Sequence, residues 1–113
     1  MSVQPGTYNI TLQRRADYSL LLQFKDSSDA VINLTGYTAY AQVWNEGRTT
    51  KYADFSIAYT NRANGQITIS LTDAQTATFI DELRYDVLLE DANESREYYL
   101  EGVIFVSQGY TAP

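Results

Sequence analysis

The sequence contains no cysteine and no histidine among its 113 residues. Without cysteine, no disulfide can stabilise the fold and no thiolate can act as a nucleophile. Without histidine, the side chain that most readily titrates near neutral pH is missing, so acid-base catalysis would fall to carboxylates, tyrosines and lysines. These absences favour a binding or structural domain, and we expect the protein not to be an enzyme.

Basic residues are also scarce. Eight lysines and arginines stand against fourteen aspartates and glutamates, which gives a net charge of −6. A negative surface repels nucleic-acid phosphates and anionic lipids, so we expect neither a nucleic acid nor a membrane as partner. No apolar run approaches membrane-spanning length, and the opening MSVQPGTYNI lacks the basic and apolar regions of a signal peptide.

A pair of nearby carboxylates is the remaining arrangement that would support catalysis. The best pair on one face of a predicted strand is Asp86 and Glu90. Four residues of extended chain separate them by roughly 13 Å, whereas glycosidase pairs lie ~5 to 9.5 Å apart. A carboxylate brought close by another strand stays open as an alternative. We predict no catalytic residues and interpret these groups as solvated.

Two acidic loop clusters offer oxygen ligands for a metal. Asp26 with Asp29 forms one cluster, and Asp91 with Asn93 and Glu94 forms the other. Neither has the spacing and central glycine of an EF-hand loop, and hydrogen bonding within turns explains both more simply. The six glycines are scattered and form no phosphate-binding loop. We therefore predict no metal site and no cofactor.

The abundant pattern is an alternation of apolar and polar residues, with turn-forming residues about every ten positions. This pattern predicts one all-β domain over residues 1–113, an antiparallel sandwich of about seven or eight strands. Thr72-Asp73-Ala74-Gln75 fits a capping box and predicts one short helix over residues 73–82. Asn64-Gly65 predicts a hairpin between the strands on either side. The run Ala30–Leu34 is predicted to form a hairpin with the strand before the polar turn at 26–29.

Apolar residues on one face of each predicted strand should form the core. Truncating any of them to alanine should cost roughly 2 to 4 kcal/mol. The predicted core residues are Leu20, Leu22, Phe24, Leu34, Val43, Ile57, Ile67, Ile69, Leu71, Val87, Leu89 and Ile104.

Aromatic residues are unusually frequent, with ten tyrosines, four phenylalanines and one tryptophan. If the small residues of the strand ending at Trp44 face the core, Tyr40 and Trp44 stand outside, where large amphipathic rings favour interfaces. The last strand places Tyr99, Val103 and Phe105 on one face in the same way. These five residues are the predicted protein interface. The alternative is that the loop at Arg48 or the helix at Thr72 covers some of the rings.

Two kinds of partner suit exposed aromatic rings. Trp and Tyr can stack on sugars, whereas rings mixed with valine and leucine are more typical of protein interfaces. The mixture here favours a protein partner, and a host glycan bound through Tyr40, Trp44 and Tyr99 remains the alternative.

Several short motifs follow one another in an order that resembles small phage virion proteins. The group it is most similar to is the immunoglobulin-like N-terminal domains of phage baseplate upper proteins and related tail proteins, over residues 8–106. The motifs are Ile32-x-Leu34-Thr35-Gly36-Tyr37, Asn64-Gly65, Leu71-Thr72-x-x-x-Thr76-Ala77, Tyr85-Asp86-Val87 and Leu100-x-Gly102-x-Ile104-x-Val106.

The resemblance implies an immunoglobulin-like sandwich that attaches a fibre, receptor-binding protein or decoration to the virion. It supplies no catalytic residues. Larger members continue into a fibre-forming region, and since this sequence stops at Pro113 we expect a small adaptor, tail or baseplate component, or capsid decoration protein. The expected location is the phage particle, after synthesis in the host cytoplasm. We expect several copies per particle, each contacting a neighbour or another virion protein.

Overall fold

A computed structural model describes residues 6–26 and 28–111. Over these residues the chain forms nine β-strands, one short α-helix and one 3-10 turn. The strands are β1 Gly6–Thr7, β2 Ile10–Gln13, β3 Tyr18–Gln23, β4 Thr38–Trp44, β5 Lys51–Asp54, β6 Ser56–Asn61, β7 Gln66–Leu71, β8 Glu82–Glu90 and β9 Arg96–Ser107; the helix α1 is Asp73–Thr76 and the 3-10 turn is Arg62–Asn64.

The described strands form two sheets. The larger sheet has the order β1, β9, β8, β4, β5, with β2 also paired to β9, and the smaller sheet has the order β3, β7, β6. Strands β4, β5, β8 and β9 pair antiparallel, whereas β1 and β2 run parallel to β9 along one of its edges. The predicted all-β immunoglobulin-like sandwich with a short helix is confirmed. The parallel pairing was not predicted, because alternation encodes which face is buried and not which way a neighbour runs.

The core lies between the two sheets and is filled from alternate positions of each strand. Of the predicted core residues, Leu20, Leu22 and Ile57 are partly buried against it and the others are fully buried. The core also contains buried residues outside the predicted core list, namely Ile10, Leu12, Ala39, Ala41, Ala53, Phe55, Phe79, Leu83, Tyr85 and Val106.

The helix begins as predicted and ends earlier. The Thr72 hydroxyl accepts a hydrogen bond from the Gln75 N–H, and the Gln75 side-chain oxygen accepts one from the Thr72 N–H. The predicted capping box is therefore present. The helix spans only Asp73–Thr76 rather than residues 73–82. The chain after it instead directs Phe79 into the core, where its ring meets Tyr52 edge-to-face at 6.2 Å.

The hairpin predicted at Asn64-Gly65 is present. Strands β6 and β7 pair antiparallel on either side of the 3-10 turn, and Gly65 has a φ of 70°. A Cβ at this glycine would lie 2.6 Å from the Ile32 carbonyl oxygen and 2.8 Å from that of Phe24. Glycine is therefore required at this position for two reasons: it adopts the positive φ of the turn, and it has no Cβ to collide with the neighbouring backbone.

The hairpin predicted for Ala30–Leu34 forms only in its first part. Lys25 and Val31 make an isolated antiparallel bridge, with hydrogen bonds from the Asp26 N–H to the Ala30 carbonyl and from the Ile32 N–H to the Phe24 carbonyl. The rest of the run is not a strand. Leu34 is instead held at a corner, because its N–H donates to the Arg62 carbonyl at 2.7 Å and the Arg62 guanidinium donates to the carbonyls of Leu34 and Tyr37. The long-range bonds to Arg62 replace the ladder that the local pattern suggested.

Candidate interaction groove

The outward face of β4 carries two of the five predicted interface residues. Ala39, Ala41 and Val43 face the core, so Tyr40 and Trp44 lie on the outer face of the larger sheet, as the sequence predicted. The alternation is uninterrupted because every residue of β4 is paired to β8 in one register.

Tyr99 does not lie on this face, and the structure corrects its predicted orientation. The pairing of β8 with β9 shifts between Val87 and Leu88, so that Leu88 is opposite Tyr98 while Val87 is opposite Leu100. Tyr99 is the extra residue of this bulge and turns inward, where its ring meets Phe24 edge-to-face at 5.6 Å. Burial, together with the nearby Glu97, raises the pKa of Tyr99 to about 12.

The bulge puts Tyr98 on the outer face in place of Tyr99. The register aligns Tyr40 of β4, Leu88 of β8 and Tyr98 of β9 across three adjacent strands. We call these three residues the aromatic row. Tyr40 is 45% exposed and Tyr98 51% exposed, so both rings are open to a partner.

Val103 and Phe105 lie on the outer face, as predicted, at different places. Val103 is opposite Arg84 and is partly buried. Phe105 lies further along β9, opposite Glu82 on β8 and beside Thr11 on β2, and is exposed. Val103 therefore lies in the same row as Trp44, across Arg84, and Phe105 lies one row further along β9, away from Tyr40.

Trp44 is partly covered from the loop between β4 and β5. The Arg48 guanidinium lies 4.6 Å from the centre of the indole ring, and the indole N–H donates to the Gln42 side-chain oxygen at 2.9 Å. The alternative raised from the sequence, that the Arg48 loop covers a ring, thus applies to Trp44. The Trp44 ring is therefore less accessible to a partner than the exposed Tyr40 ring.

These side chains surround a concave groove of about 780 Å³ on the outer face of the larger sheet. Thr7 and Asn9 border it on the β9 side, and Glu46 and Arg48 border it on the β4 side. Tyr40, Leu88, Tyr98, Trp44 and Val103 also line it. We call it the outer groove, and it brings together five outward aromatic and apolar residues from three strands.

A pair of carboxylates lies beside the aromatic row. Asp86 of β8 is opposite Gln42 on one side and opposite Glu101 of β9 on the other, and all three line the outer groove. Partial burial and the adjacent Glu101 raise the pKa of Asp86, while Arg48 partly lowers it. The sequence pairing of Asp86 with Glu90 missed this neighbour, because the contact depends on the register of β8 with β9.

Every arginine that lines the described groove already has a partner. Arg84 contacts Glu46 at 3.0 Å and Glu82 at 3.5 Å, Arg96 donates to Glu90 at 2.6 Å, and Arg48 lies over Trp44. Asp86 and Glu101 form no ion pair with any residue that the structure describes. The groove therefore carries two adjacent carboxylates that form no ion pair with a described residue, and Arg48 offsets only part of the effect on Asp86.

The acidic loop clusters are engaged in their own turns. One Asp26 oxygen accepts hydrogen bonds from the backbone of Ser28 and Ala30, and one Asp91 oxygen accepts them from Asn93 and Ser95. This supports the turn interpretation given from the sequence; Ser27, which belongs to the first turn, lies outside the described residues. Within the described ranges no three acidic side chains gather as metal ligands would.

The arrangement as a whole is suited to binding. In residues 6–26 and 28–111, no helix has the length and apolar character needed to cross a membrane. The fold and groove define an immunoglobulin-like β-sandwich whose larger sheet presents a concave, aromatic and acidic outer face.

Comparison with known proteins identifies the family. A model described as LtfC-like, β-sandwich domain matches residues 4–107. The chain therefore belongs to the LtfC-like β-sandwich domain family, and it is a phage-related β-sandwich protein. A search of curated protein sequences gave no match.

Comparison with solved structures gave matches at low sequence identity. A chain from the crystal structure of ICOS in complex with ICOS-L and an anti ICOS-L VNAR domain aligns with a TM-score of 0.56 and 10% identity, covering 91% of this chain and 56% of that one. The crystal structure of the Lin-41 filamin domain aligns with a TM-score of 0.48 and 13% identity, covering 88% of this chain and 84% of that one. At these identities the likeness concerns the fold alone.

Proposed function

We propose that this protein is a structural component of a phage virion, associated with the tail or baseplate, that assembles through protein contacts made by the outer groove. Membership in a phage-related family supports the virion setting. The proposed location is the particle, after synthesis in the host cytoplasm, and the proposed role is a binding one without catalysis. A capsid decoration role uses the same surface and is the second position to test.

The contrast between the two outer faces carries the proposal. The outer face of the smaller sheet bears mainly small and polar residues, with Leu21 as an exposed apolar side chain; its other positions include Ser19, Gln23, Thr60, Thr68 and Ser70. The outer face of the larger sheet instead groups tyrosines, leucine, tryptophan and charged residues in a groove. Concave surfaces that are rich in aromatic side chains are characteristic of binding sites.

The composition of the groove supports a protein partner. Tyr40 and Tyr98 are separated by Leu88, so the open platform is a mixed aliphatic and aromatic strip across three strands. Such strips suit the side chains of another protein. A host glycan is the competing partner. Gln42 and Asp86 line the groove beside Tyr40 and Trp44, and their polar side chains are able to form hydrogen bonds with sugar hydroxyls.

The first test is the copy number of the protein in purified phage particles, measured by quantitative mass spectrometry. The proposal expects several copies per particle, consistent with a ring or lattice position. Absence from the particle, or a single copy, would contradict it. Labelling with an antibody in electron microscopy then separates a tail or baseplate position from a capsid position.

The second test separates protein from sugar. The purified protein is applied to a glycan array alongside its Trp44→Ala variant. The proposal expects no saturable glycan binding by either. Strong binding by the wild-type protein that is lost in the variant would instead favour host-glycan recognition.

A further inference from the structure

We infer that the outer groove receives an arginine side chain of the partner protein, with its guanidinium between Asp86 and Glu101 and its flat face against the aromatic row. This inference rests on the proposed function and deepens it by giving the chemistry of the partner. It depends on three features of the groove: the opposed carboxylates, the partnered arginines around them and the neighbouring tyrosines.

The opposed carboxylates are the first feature. Asp86 and Glu101 are directly opposite each other on adjacent strands, and like charges in that position repel each other. Partial burial of Asp86 increases the penalty for its charge. A cation placed between the two groups would relieve both effects, so the isolated domain carries a local cost that a bound cation removes.

The domain does not supply this cation from the part of the chain that the structure describes. Arg84 and Arg96 are bound to glutamates, and Arg48 is held over Trp44. Arg48 offsets only part of the effect on Asp86, and no described lysine or arginine forms an ion pair with Asp86 or Glu101. Charge complementarity therefore selects a positively charged occupant, consistent with a chain of net charge −6.

The tyrosines select arginine over lysine. The polar row of Gln42, Asp86 and Glu101, which holds the two carboxylates, lies two residues along each strand from the aromatic row, except at the bulge in β9. A guanidinium is planar, donates in two directions to carboxylates and stacks on aromatic faces, whereas an ammonium is a compact and strongly hydrated charge. Adjacent carboxylates and exposed tyrosine rings suit the planar group.

The direct test is an NMR titration of the ¹⁵N-labelled protein with a probe peptide, acetyl-Gly-Arg-Gly-amide. The comparison probe replaces arginine with citrulline, which has nearly the same shape and no charge. We expect the arginine peptide to shift the amide signals of groove residues such as Asp86, Leu88 and Glu101. We expect the affinity for the citrulline peptide to be lower by roughly tenfold or more, which corresponds to the loss of a charge-assisted hydrogen bond.

Two double variants separate a local contact from the effect of total charge. Asp86→Asn with Glu101→Gln neutralises the groove, and Asp29→Asn with Glu94→Gln removes the same charge from exposed turn residues outside it. We expect the first pair to weaken arginine-peptide binding by roughly tenfold or more and the second to leave it nearly unchanged. If the first pair folds poorly, Glu101→Gln alone serves, since Glu101 is exposed.

The contradicting results are equally specific. Equal binding of the arginine and citrulline peptides, retention of arginine binding after neutralising the groove, or shifts confined to residues outside the groove would overturn the inference. Groove shifts caused by maltohexaose or chitohexaose, and not by the arginine peptide, would assign the groove to sugar and would also overturn it.

Particle assembly distinguishes failure of this inference from failure of the proposed function. If Tyr40→Ser with Tyr98→Ser abolishes incorporation into particles while Asp86→Asn with Glu101→Gln does not, the groove binds protein without the arginine contact. If neither pair affects incorporation, the proposed interface itself is wrong. Loss of incorporation in both pairs is the result that the inference predicts.

Discussion

At the scale of single residues, Gly102 determines how the first strands join the larger sheet. A Cβ on this glycine would overlap the carbonyl oxygen of Tyr8 and lie 3.1 Å from the ring of Tyr85. The Tyr85 hydroxyl donates to that same oxygen at 2.5 Å, and burial raises the pKa of Tyr85. The backbone of Tyr8, between β1 and β2, therefore packs directly against Gly102, where only glycine fits.

We predict that Gly102→Ala destabilises the fold by roughly 1 to 3 kcal/mol, as overpacking does in well-packed sites. The methyl group would displace the Tyr8 backbone and weaken its bond to Tyr85. Urea unfolding monitored by tyrosine and tryptophan fluorescence measures the change. Gly47→Ala is the matched control, since its Cβ would approach only the Thr49 methyl, at 3.9 Å. Equal stability of the two variants would show that the packing at Gly102 is not critical.

Asp86 provides a pH-dependent prediction at the same scale. Its pKa is raised in the folded state by burial and then by Glu101, against a smaller opposite effect of Arg48. A raised pKa means that the protonated carboxyl favours folding, so its contribution is complete below the unfolded pKa and is lost as pH rises through the folded pKa. We therefore predict that Asp86→Asn increases the free energy of unfolding at pH 7 and that this gain shrinks as the pH falls toward the ordinary aspartate range.

Thermal unfolding of Asp86→Asn and the wild-type protein from acidic to neutral pH measures this difference. A Tm below that of the wild-type protein at neutral pH would contradict the prediction. A gain in stability combined with weaker binding of the arginine peptide would be the signature of a charge retained for binding.

At the scale of secondary-structure elements, the sequence predicted the strands well and their pairing poorly. The alternation in β4 identified Tyr40 and Trp44 as outward residues because that strand keeps one register throughout. The same reasoning failed for Tyr99, because a bulge adds one residue to β9 and exchanges the two faces. A bulge has no clear sequence pattern in the run Glu97-Tyr98-Tyr99-Leu100, because either of the two adjacent tyrosines is compatible with the outer face.

Contacts that depend on the register between two strands were also beyond the reach of local patterns. Asp86 and Glu101 are neighbours only because β8 and β9 pair antiparallel around the turn at Asp91–Ser95. Hydrophobic periodicity identified part of the core correctly, whereas the neighbouring carboxylates of the groove depend on the register between strands. The candidate site was therefore only partly predictable: its β4 and Val103 residues were found, and Tyr98 and the carboxylate pair were not.

The short helix supports a prediction that concerns its start. The Thr72 hydroxyl accepts from the Gln75 backbone at 3.2 Å, and a helix of four residues has few other bonds to stabilise it. We predict that Thr72→Ala lowers the free energy of unfolding by about 1 kcal/mol, the usual cost of losing an N-cap. Thr72→Ser, which keeps the hydroxyl, should restore most of it. Denaturant unfolding compares the three proteins, and an alanine variant as stable as the serine variant would contradict the capping role.

At the scale of the whole molecule, the two sheets have different outer surfaces. The smaller sheet presents serine, threonine and glutamine, and the larger sheet presents a groove with open tyrosines and unpaired carboxylates. Both sheets contribute to one core, so stability alone does not require this difference. The asymmetry is the physical basis for placing the binding surface on the larger sheet.

Competitive incorporation into phage particles tests this placement most directly. Wild-type protein and a variant carrying Tyr40→Ser and Tyr98→Ser are co-expressed during infection, and their ratio in purified particles is measured by mass spectrometry. The control is Leu21→Ser, which removes a side chain that is 55% exposed on the smaller sheet. Both variants should remain folded, because substitutions of exposed side chains usually change stability by about 0.5 kcal/mol or less. The account predicts that the tyrosine variant is depleted from particles while the Leu21 variant incorporates like the wild-type protein; equal incorporation of the tyrosine variant would contradict it.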